Sequence, residues 1–244
     1  VVRGVEHRVI VSNIVGDAMQ ADGQGTLSTV SPDGDMIAAE WVTGLDAPKG
    51  SAIGGDKLYV SDLTRLRIVD LATGAYETVD VPGAMFLNDV TVDVDGAVYV
   101  TDTFTNAIYR YADGTAELFV QDAALDGPNG ILAVDGTLWV ASAGRFPSAN
   151  DPGKPGGVLA VDIASRAITK QEAAGDFGTL DGIVDIGGAF YISDFMSGVV
   201  YRLEPGGTPS VVTTLSMGSA DTGSDGTSIY VPMMMEGELV KITP

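Results

Sequence analysis

Leu58-Tyr59-Val60-Ser61-Asp62 is the stretch from which the fold of this chain can be read. A run rich in β-branched and aromatic residues that closes on a polar one reads as a buried strand meeting a loop. The pattern returns as Val9-Ile10-Val11-Ser12-Asn13, Val98-Tyr99-Val100-Thr101-Asp102, Leu138-Trp139-Val140-Ala141-Ser142, Phe190-Tyr191-Ile192-Ser193-Asp194 and Ile229-Tyr230-Val231-Pro232-Met233. Successive centres lie 49, 40, 40, 52 and 39 residues apart, close to the ~40–50 residues of a propeller blade.

The flanks repeat as well. Upstream stand Pro48-Lys49-Gly50, Leu87-Asn88-Asp89, Pro128-Asn129-Gly130 and Leu180-Asp181-Gly182, each followed by a short apolar strand and a Gly- or Asp-containing turn. Downstream come alternating strands such as Ala107-Ile108-Tyr109-Arg110-Tyr111, and in most units a fourth strand such as Ala116-Glu117-Leu118-Phe119-Val120. Four antiparallel strands per unit, six times over, predict an all-β, six-bladed β-propeller. It forms one domain over 1–244, with blades at approximately 1–43, 44–82, 83–122, 123–174, 175–215 and 216–244. The sixth unit reaches only its third strand, Leu239-Val240-Lys241-Ile242, so its outer strand is expected from residues before Val1.

Composition agrees. The 45 % of hydrophobic residues can build a substantial core, and 32 Gly and 11 Pro spread along the chain suit short strands with tight turns. No apolar run approaches the ~20 residues of a membrane span. A formal charge of −20 repels nucleic acid. Cysteine is absent, so neither a disulfide framework nor a redox compartment is indicated. The single histidine, His7, falls in the first turn, and a Ser-His-Asp triad or a His-rich zinc site has no further histidine to draw on.

In a propeller the starts of the innermost strands converge on the central tunnel. Alignment of the units puts Lys49, Asn88, Asn129 and Asp181 there in blades two to five, and Ala220 or Ser219 in blade six; the first blade's position falls before Val1. Asn, Asn and Asp are oxygen donors of the kind a hard cation such as Ca²⁺ takes, and they are also common caps at strand entries. Lys49 either pairs with Asp181 in place of a metal or steadies a developing oxyanion. Asp89 and Asp221, one step further along their strands, either support these groups or line the tunnel in contact with water. The long spacings come from Ile14 to Gly25 and from Ala143 to Gly157, segments predicted on the same face, as lids or walls that include Phe146. Met233-Met234-Met235 is expected at the tunnel mouth.

The runs Leu87-Asn88-Asp89-Val90, Gly127-Pro128-Asn129-Gly130-Ile131 and Leu180-Asp181-Gly182-Ile183 resemble the senescence marker protein/gluconolactonase/luciferin-regenerating enzyme family of regucalcin-like propellers. That resemblance implies a divalent metal in the tunnel, usually Ca²⁺, and hydrolysis of lactones or phosphotriesters. It implies metal-ligand positions at Asn129 and Asp181 and a ligand or substrate contact at Asn88. Asp181 also matches the residue taken as base or nucleophile, and a further ligand, a glutamate of the first blade, would stand just before Val1. The leading expectation is a metal-dependent hydrolase of a small ester-like molecule, with a lactone first among candidates, catalytic residues Asp181 and Lys49, and a small molecule as its partner. The alternatives are a non-catalytic propeller that binds ligands or serves as a scaffold, and an enzyme whose metal has been replaced by Lys49.

Overall fold

A computed structural model describes residues 8–244 of the chain; His7 and the rest of residues 1–7 lie outside the described residues. Six antiparallel sheets follow one another along the sequence, with almost no helix. The first described sheet comprises Val9–Asn13, Gly25–Val30 and Met36–Leu45, and the second Pro48–Gly54, Lys57–Asp62, Arg65–Asp70 and Tyr76–Asp80. Blade three holds Leu87–Val92, Val98–Asp102, Ala107–Ala112 and Thr115–Gln121. Blade five holds Leu180–Ile186, Ala189–Asp194, Val199–Leu203 and Ser210–Thr214. Blade six contains Gly223–Ser224, Ile229–Met233 and Glu238–Ile242. Among the described residues no helix is long and apolar enough to cross a membrane.

Blades two, three and five have the expected four strands; the other three differ. Blade four contains Pro128–Val134, Thr137–Ser142, Gly156–Asp162 and Ile168–Lys170, and a fifth strand, Asp176–Gly178, pairs with the start of Gly156–Asp162. The cause is local. The outer strand Ile168–Lys170 covers only the far half of its neighbour, so Gly156 and Gly157 are free to pair with the connection to the next blade. The first and sixth blades show three strands each among the described residues.

Each repeated motif is the second strand of its blade, and its unbroken apolar run has a structural reason. Successive side chains of a strand point to opposite faces, and in a propeller both faces meet a neighbouring blade. Leu58 and Val60 pack towards blade one, whereas Tyr59 packs towards blade three. Val98 and Val100 face blade two while Tyr99 faces blade four; Phe190 and Ile192 face blade four while Tyr191 faces blade six. The core is therefore six separate clusters, one between each pair of adjacent blades. The last closes the ring, with Val9 and Val30 of blade one packed on Tyr230 of blade six.

At the axis the inner strands come too close for side chains. A Cβ on Gly130 would lie 2.2 Å from the Asp181 carbonyl oxygen, and one on Gly182 would lie 2.1 Å from the Thr222 nitrogen. Both obstacles are backbone and cannot swing aside. Gly130→Ala is expected to destabilise by about 2–3 kcal/mol through forced backbone movement. Gly136→Ala meets nothing within 4 Å but has φ +75°, and should cost only about 1–2 kcal/mol. Urea unfolding of the two variants checks the order.

Candidate functional site

Every complete inner strand opens with an irregularity in its pairing. The register slips between Pro48 and Ser51, Leu87 and Val90, Pro128 and Ile131, and Leu180 and Ile183. The residues in the slips are Lys49-Gly50, Asn88-Asp89, Asn129-Gly130 and Asp181-Gly182. Such bulges bend a strand and re-aim a side chain, and here they turn one residue per blade towards the tunnel. A hydroxyl from the neighbouring second strand fills the slip: Thr101 Oγ1 accepts from the Asp89 N–H at 3.0 Å, and Ser193 Oγ accepts from the Gly182 N–H at 2.9 Å.

The same hydroxyls then reach the next blade. Ser12 donates to the Lys49 carbonyl at 2.5 Å, Thr101 to that of Asn129 at 2.6 Å, and Ser193 to that of Ala220 at 2.9 Å; Ser61 donates to that of Asn88. Each site residue from blades two, three, four and six thus hangs from the blade before it. Ala141 stands at this position in blade four, and there the Asp181 carbonyl lies against Gly130 instead. The bond to Ala220 identifies that residue, rather than Ser219, as blade six's counterpart.

Lys49, Asn88, Asn129, Asp181 and Asp221 line one cavity of about 810 Å³, together with Phe86, Phe146, Phe195 and Met234. The cavity continues along the facing sides of blades one and six, past Val30, Tyr230 and Leu239. Both long segments contribute, the first through Ile14 and Ala18 and the second through Phe146. In the second segment, Arg145 bridges Lys154 and Ser148 bridges Asp151, a small hairpin that carries Phe146 to the cavity edge.

The oxygens on the floor are acceptors in search of a donor. Asn129 is buried, and its Oδ1 has no hydrogen-bond partner among the described residues. Asn88 Nδ2 donates to Thr103 Oγ1 at 3.0 Å, and Thr103 spends its own proton on the Pro128 carbonyl at 2.8 Å. That relay sets the orientation of the Asn88 amide, because Thr103 can only accept from it. Asp181 is buried, and no donor among the described residues reaches its carboxyl. Burial, followed by repulsion from Asp221 and Asp194, pushes that carboxyl well above the usual carboxylate range.

Lys49 does not pair with Asp181. Its Nζ lies 4.2 Å from the centroid of the Phe86 ring and donates to the Ala47 carbonyl at 3.1 Å. Phe86 is itself stacked on Phe104 at 4.5 Å. Burial lowers the Lys49 pKa to about 8 against the opposing pull of Asp62 and Asp102. Blades two and five stand opposite one another in a ring of six, so Lys49 and Asp181 face each other across the tunnel, with Asn88 and Asn129 on the blades between.

Asp89 sits beneath this layer and is absent from the cavity lining. Its Oδ1 accepts from the Val90 N–H at 2.7 Å and its Oδ2 from the Ile131 N–H of the next blade at 2.8 Å. In the aligned repeats Gly50, Gly130 and Gly182 occupy the same rung, and Asp221 completes it from the opposite blade. The glycines make the room: a Cβ on Gly50 would lie 2.3 Å from Asp89 Oδ1, and one on Gly182 would lie 2.8 Å from Asp221 Oδ1. Asp89 and Asp221 are close enough to influence each other's ionisation. Burial first, and for Asp89 the charge of Asp221 next, raise both carboxyls, Asp89 the further. Asp89 therefore ties its inner strand to that of the next blade, while Asp221 also reaches the cavity.

The residues converge as the repeat alignment predicts. The hydroxyl ladder, Thr103, and the Phe86 ring under Lys49 are new to the structure. The fourth motif position, Ser12, Ser61, Thr101 and Ser193, is the sequence signal that points to the ladder.

No family model matches the chain, and no curated protein matches it. Solved structures do. A propeller in a nidogen/laminin complex superposes with TM-score 0.76 at 14 % identity, covering 97 % of this chain and 89 % of that one. Virginiamycin B lyase from Staphylococcus aureus, in a catalytically inactive form with quinupristin, gives 0.62 at 17 % identity over 89 % and 73 %. A streptogramin B lyase gives 0.61 at 16 % identity over 88 % and 71 %. At these identities the likeness establishes the six-bladed propeller and leaves the chemistry to the residues.

The acid pair has a measurable consequence. Both folded-state pKa values are raised, so the native state holds more protons than the unfolded one above the ordinary Asp range, and stability falls as pH rises. Asp221→Asn removes one charge and supplies a donor to Asp89. Its melting temperature should exceed wild type by roughly 2–4 °C at pH 8, with the gain shrinking towards pH 5, as differential scanning calorimetry would report.

Proposed function

We propose that the chain is a hydrolase of small ester-like molecules, lactones foremost, with Asp181 as general base and Lys49 as the charge that steadies the oxyanion. The observation that carries this reading is the donor-starved Asp181 carboxyl facing Lys49 across the tunnel, with the Asn88 and Asn129 amide oxygens on the blades between them. A carbonyl group on the axis would have its oxygen towards an ammonium and its carbon towards a carboxylate. Water attacking that carbon would lose its proton to Asp181, whose raised basicity suits the task near neutral pH. The tetrahedral oxyanion would rest on the Lys49 ammonium, in a buried setting where such an interaction is stronger than in water. Collapse would break the ring C–O bond, with the Asp181 proton passing to the departing alkoxide and an open hydroxy acid as product.

A divalent cation fits the same oxygens. Asn88 Oδ1, Asn129 Oδ1 and the Asp181 carboxylate form an all-oxygen set of the kind Ca²⁺ takes. Among the described residues no group of three His, Cys, Asp or Glu stands together as a metal site, so a cation here would rest on two amide oxygens and a single carboxylate. With Lys49 engaged by Phe86 and Ala47, its ammonium is not seated where the cation would go. Bound there, the cation would supply further positive charge to the carbonyl oxygen.

Asp181→Asn is expected to lower kcat/KM on a lactone panel at least ~100-fold, and a chelator should act in the same direction on wild type. The rate should fall as pH rises through about 8, where Lys49 loses its proton; Lys49→Arg, which stays charged, should remove that limb. Wild-type protein inert towards every lactone and simple ester, with and without added Ca²⁺, would overturn the reading.

A further inference from the structure

The chain has eight methionines, and only Met233 is buried. That is an unusual use of a residue that normally fills cores. Six of the seven exposed ones, Met19, Met85, Met196, Met217, Met234 and Met235, are between 40 and 59 % exposed. Topology puts all six on one face. They follow second strands or precede inner strands, and those loops emerge where the cavity opens. They come from both ends of the sequence and from five different loops, so local sequence does not explain them.

Two phenylalanines extend the rim. Phe104, 49 % exposed, stacks on the ring that carries Lys49, and Phe146, 42 % exposed, stands on the hairpin and also lines the cavity. Met234 likewise belongs to both rim and cavity wall. The apolar surface is thus continuous from the open face to the floor that holds Asp181. On the opposite face the exposed large apolar residues are fewer: Met36 and Ile37 adjoin at the start of Met36–Leu45, and Val94 stands in a tight turn.

We propose that this rim binds the apolar arm of the substrate, so that the preferred substrates are neutral, lipophilic lactones or esters rather than polyhydroxylated or anionic ones. The proposal rests on the hydrolase reading for the reacting end and adds the chemistry of the remainder. Methionine suits the task because its unbranched thioether adapts to a flexible chain without a fixed pocket. The charge of −20 supplies the second argument. It disfavours fatty acids, phosphates and other anions at long range, while a neutral arm is indifferent to it. Hydrolysis converts the neutral ring into a carboxylate, so the same field that admits the substrate repels the product.

The test pairs kinetics with a binding probe. Lactones of one ring size, bare or carrying an eight-carbon alkyl arm, are compared in wild type and in a Met85→Ser/Met196→Ser/Met217→Ser/Met235→Ser variant. All four positions are exposed, so the variant should fold. The expected result is a kcat/KM ratio of armed to bare lactone of at least ~10 in wild type, falling to near one in the variant. The neutral fluorophore N-phenyl-1-naphthylamine should bind wild type and Asp181→Asn equally, and the methionine variant several-fold more weakly. An armed-to-bare ratio unchanged by the four substitutions would overturn the proposal. So would sedimentation showing that the rim is covered by a second copy, with wild type dimeric and the variant monomeric. If no lactone is turned over yet fluorophore binding still depends on the methionines, the hydrolase reading fails and the apolar rim stands.

Discussion

A single hydroxyl, repeated from blade to blade, positions most of the residues that face the tunnel. Ser12, Ser61, Thr101 and Ser193 each stand next to last in a second strand, and each donates to the carbonyl of the residue that the next blade presents to the axis. Two of them also accept the N–H left unpaired by the slip in their own inner strand. Without that second contact a bulge at the crowded axis would leave buried backbone donors unsatisfied, a cost of ~1–3 kcal/mol apiece. The hydroxyl therefore does two things at once. It makes the bulge tolerable, and it ties the orientation of one blade's side chain to the position of its neighbour.

Behind the ladder, buried carboxylates hold the loops that lead into it. Asp62 accepts from the Ala47 N–H at 2.7 Å and from Arg67 Nε at 2.7 Å, and Asp102 accepts from the Met85 N–H at 2.6 Å. These bonds fasten the connection from one blade's outer edge to the next blade's inner strand. Phe86 is fastened by the same carboxylate as Met85, which places the ring beneath Lys49. Burial lowers the Lys49 pKa to about 8, while Asp62 and Asp102 pull it back up.

The tunnel is built as two chemically distinct layers, although both come from adjacent residues. The upper layer offers Lys49, Asn88, Asn129 and Asp181 to a cavity; the lower offers glycines and the acids Asp89 and Asp221, of which Asp221 also reaches the cavity. Alternation along the strand separates them, and the glycines decide which blades contribute nothing to the lower layer. Buried acids without a counter-charge are costly. Here backbone N–H groups offset part of that cost for Asp89, while burial first, then the charges of Asp221 and Asp194, raises the basicity of Asp181.

By itself the sequence determined the number of blades, the strand that lies second in each, and the residues that meet at the tunnel mouth. It could do so because a strand buried on both faces must be apolar at consecutive positions, and six such runs at near-constant spacing admit few other arrangements. The convergence of Asn88, Asn129, Asp181 and Lys49 was legible for the same reason, since equivalent positions of a repeat become neighbours around an axis. Tertiary structure alone decided what those groups touch. Whether Lys49 meets Asp181 or Phe86, which way the Asn88 amide points, and that Asp89 bonds the Ile131 N–H rather than lining the cavity depend on contacts between residues 37, 15 and 42 positions apart. The fifth strand of blade four and the methionine rim belong to the same class. Each depends on which loops share an edge or a face, and that is set only when the ring closes.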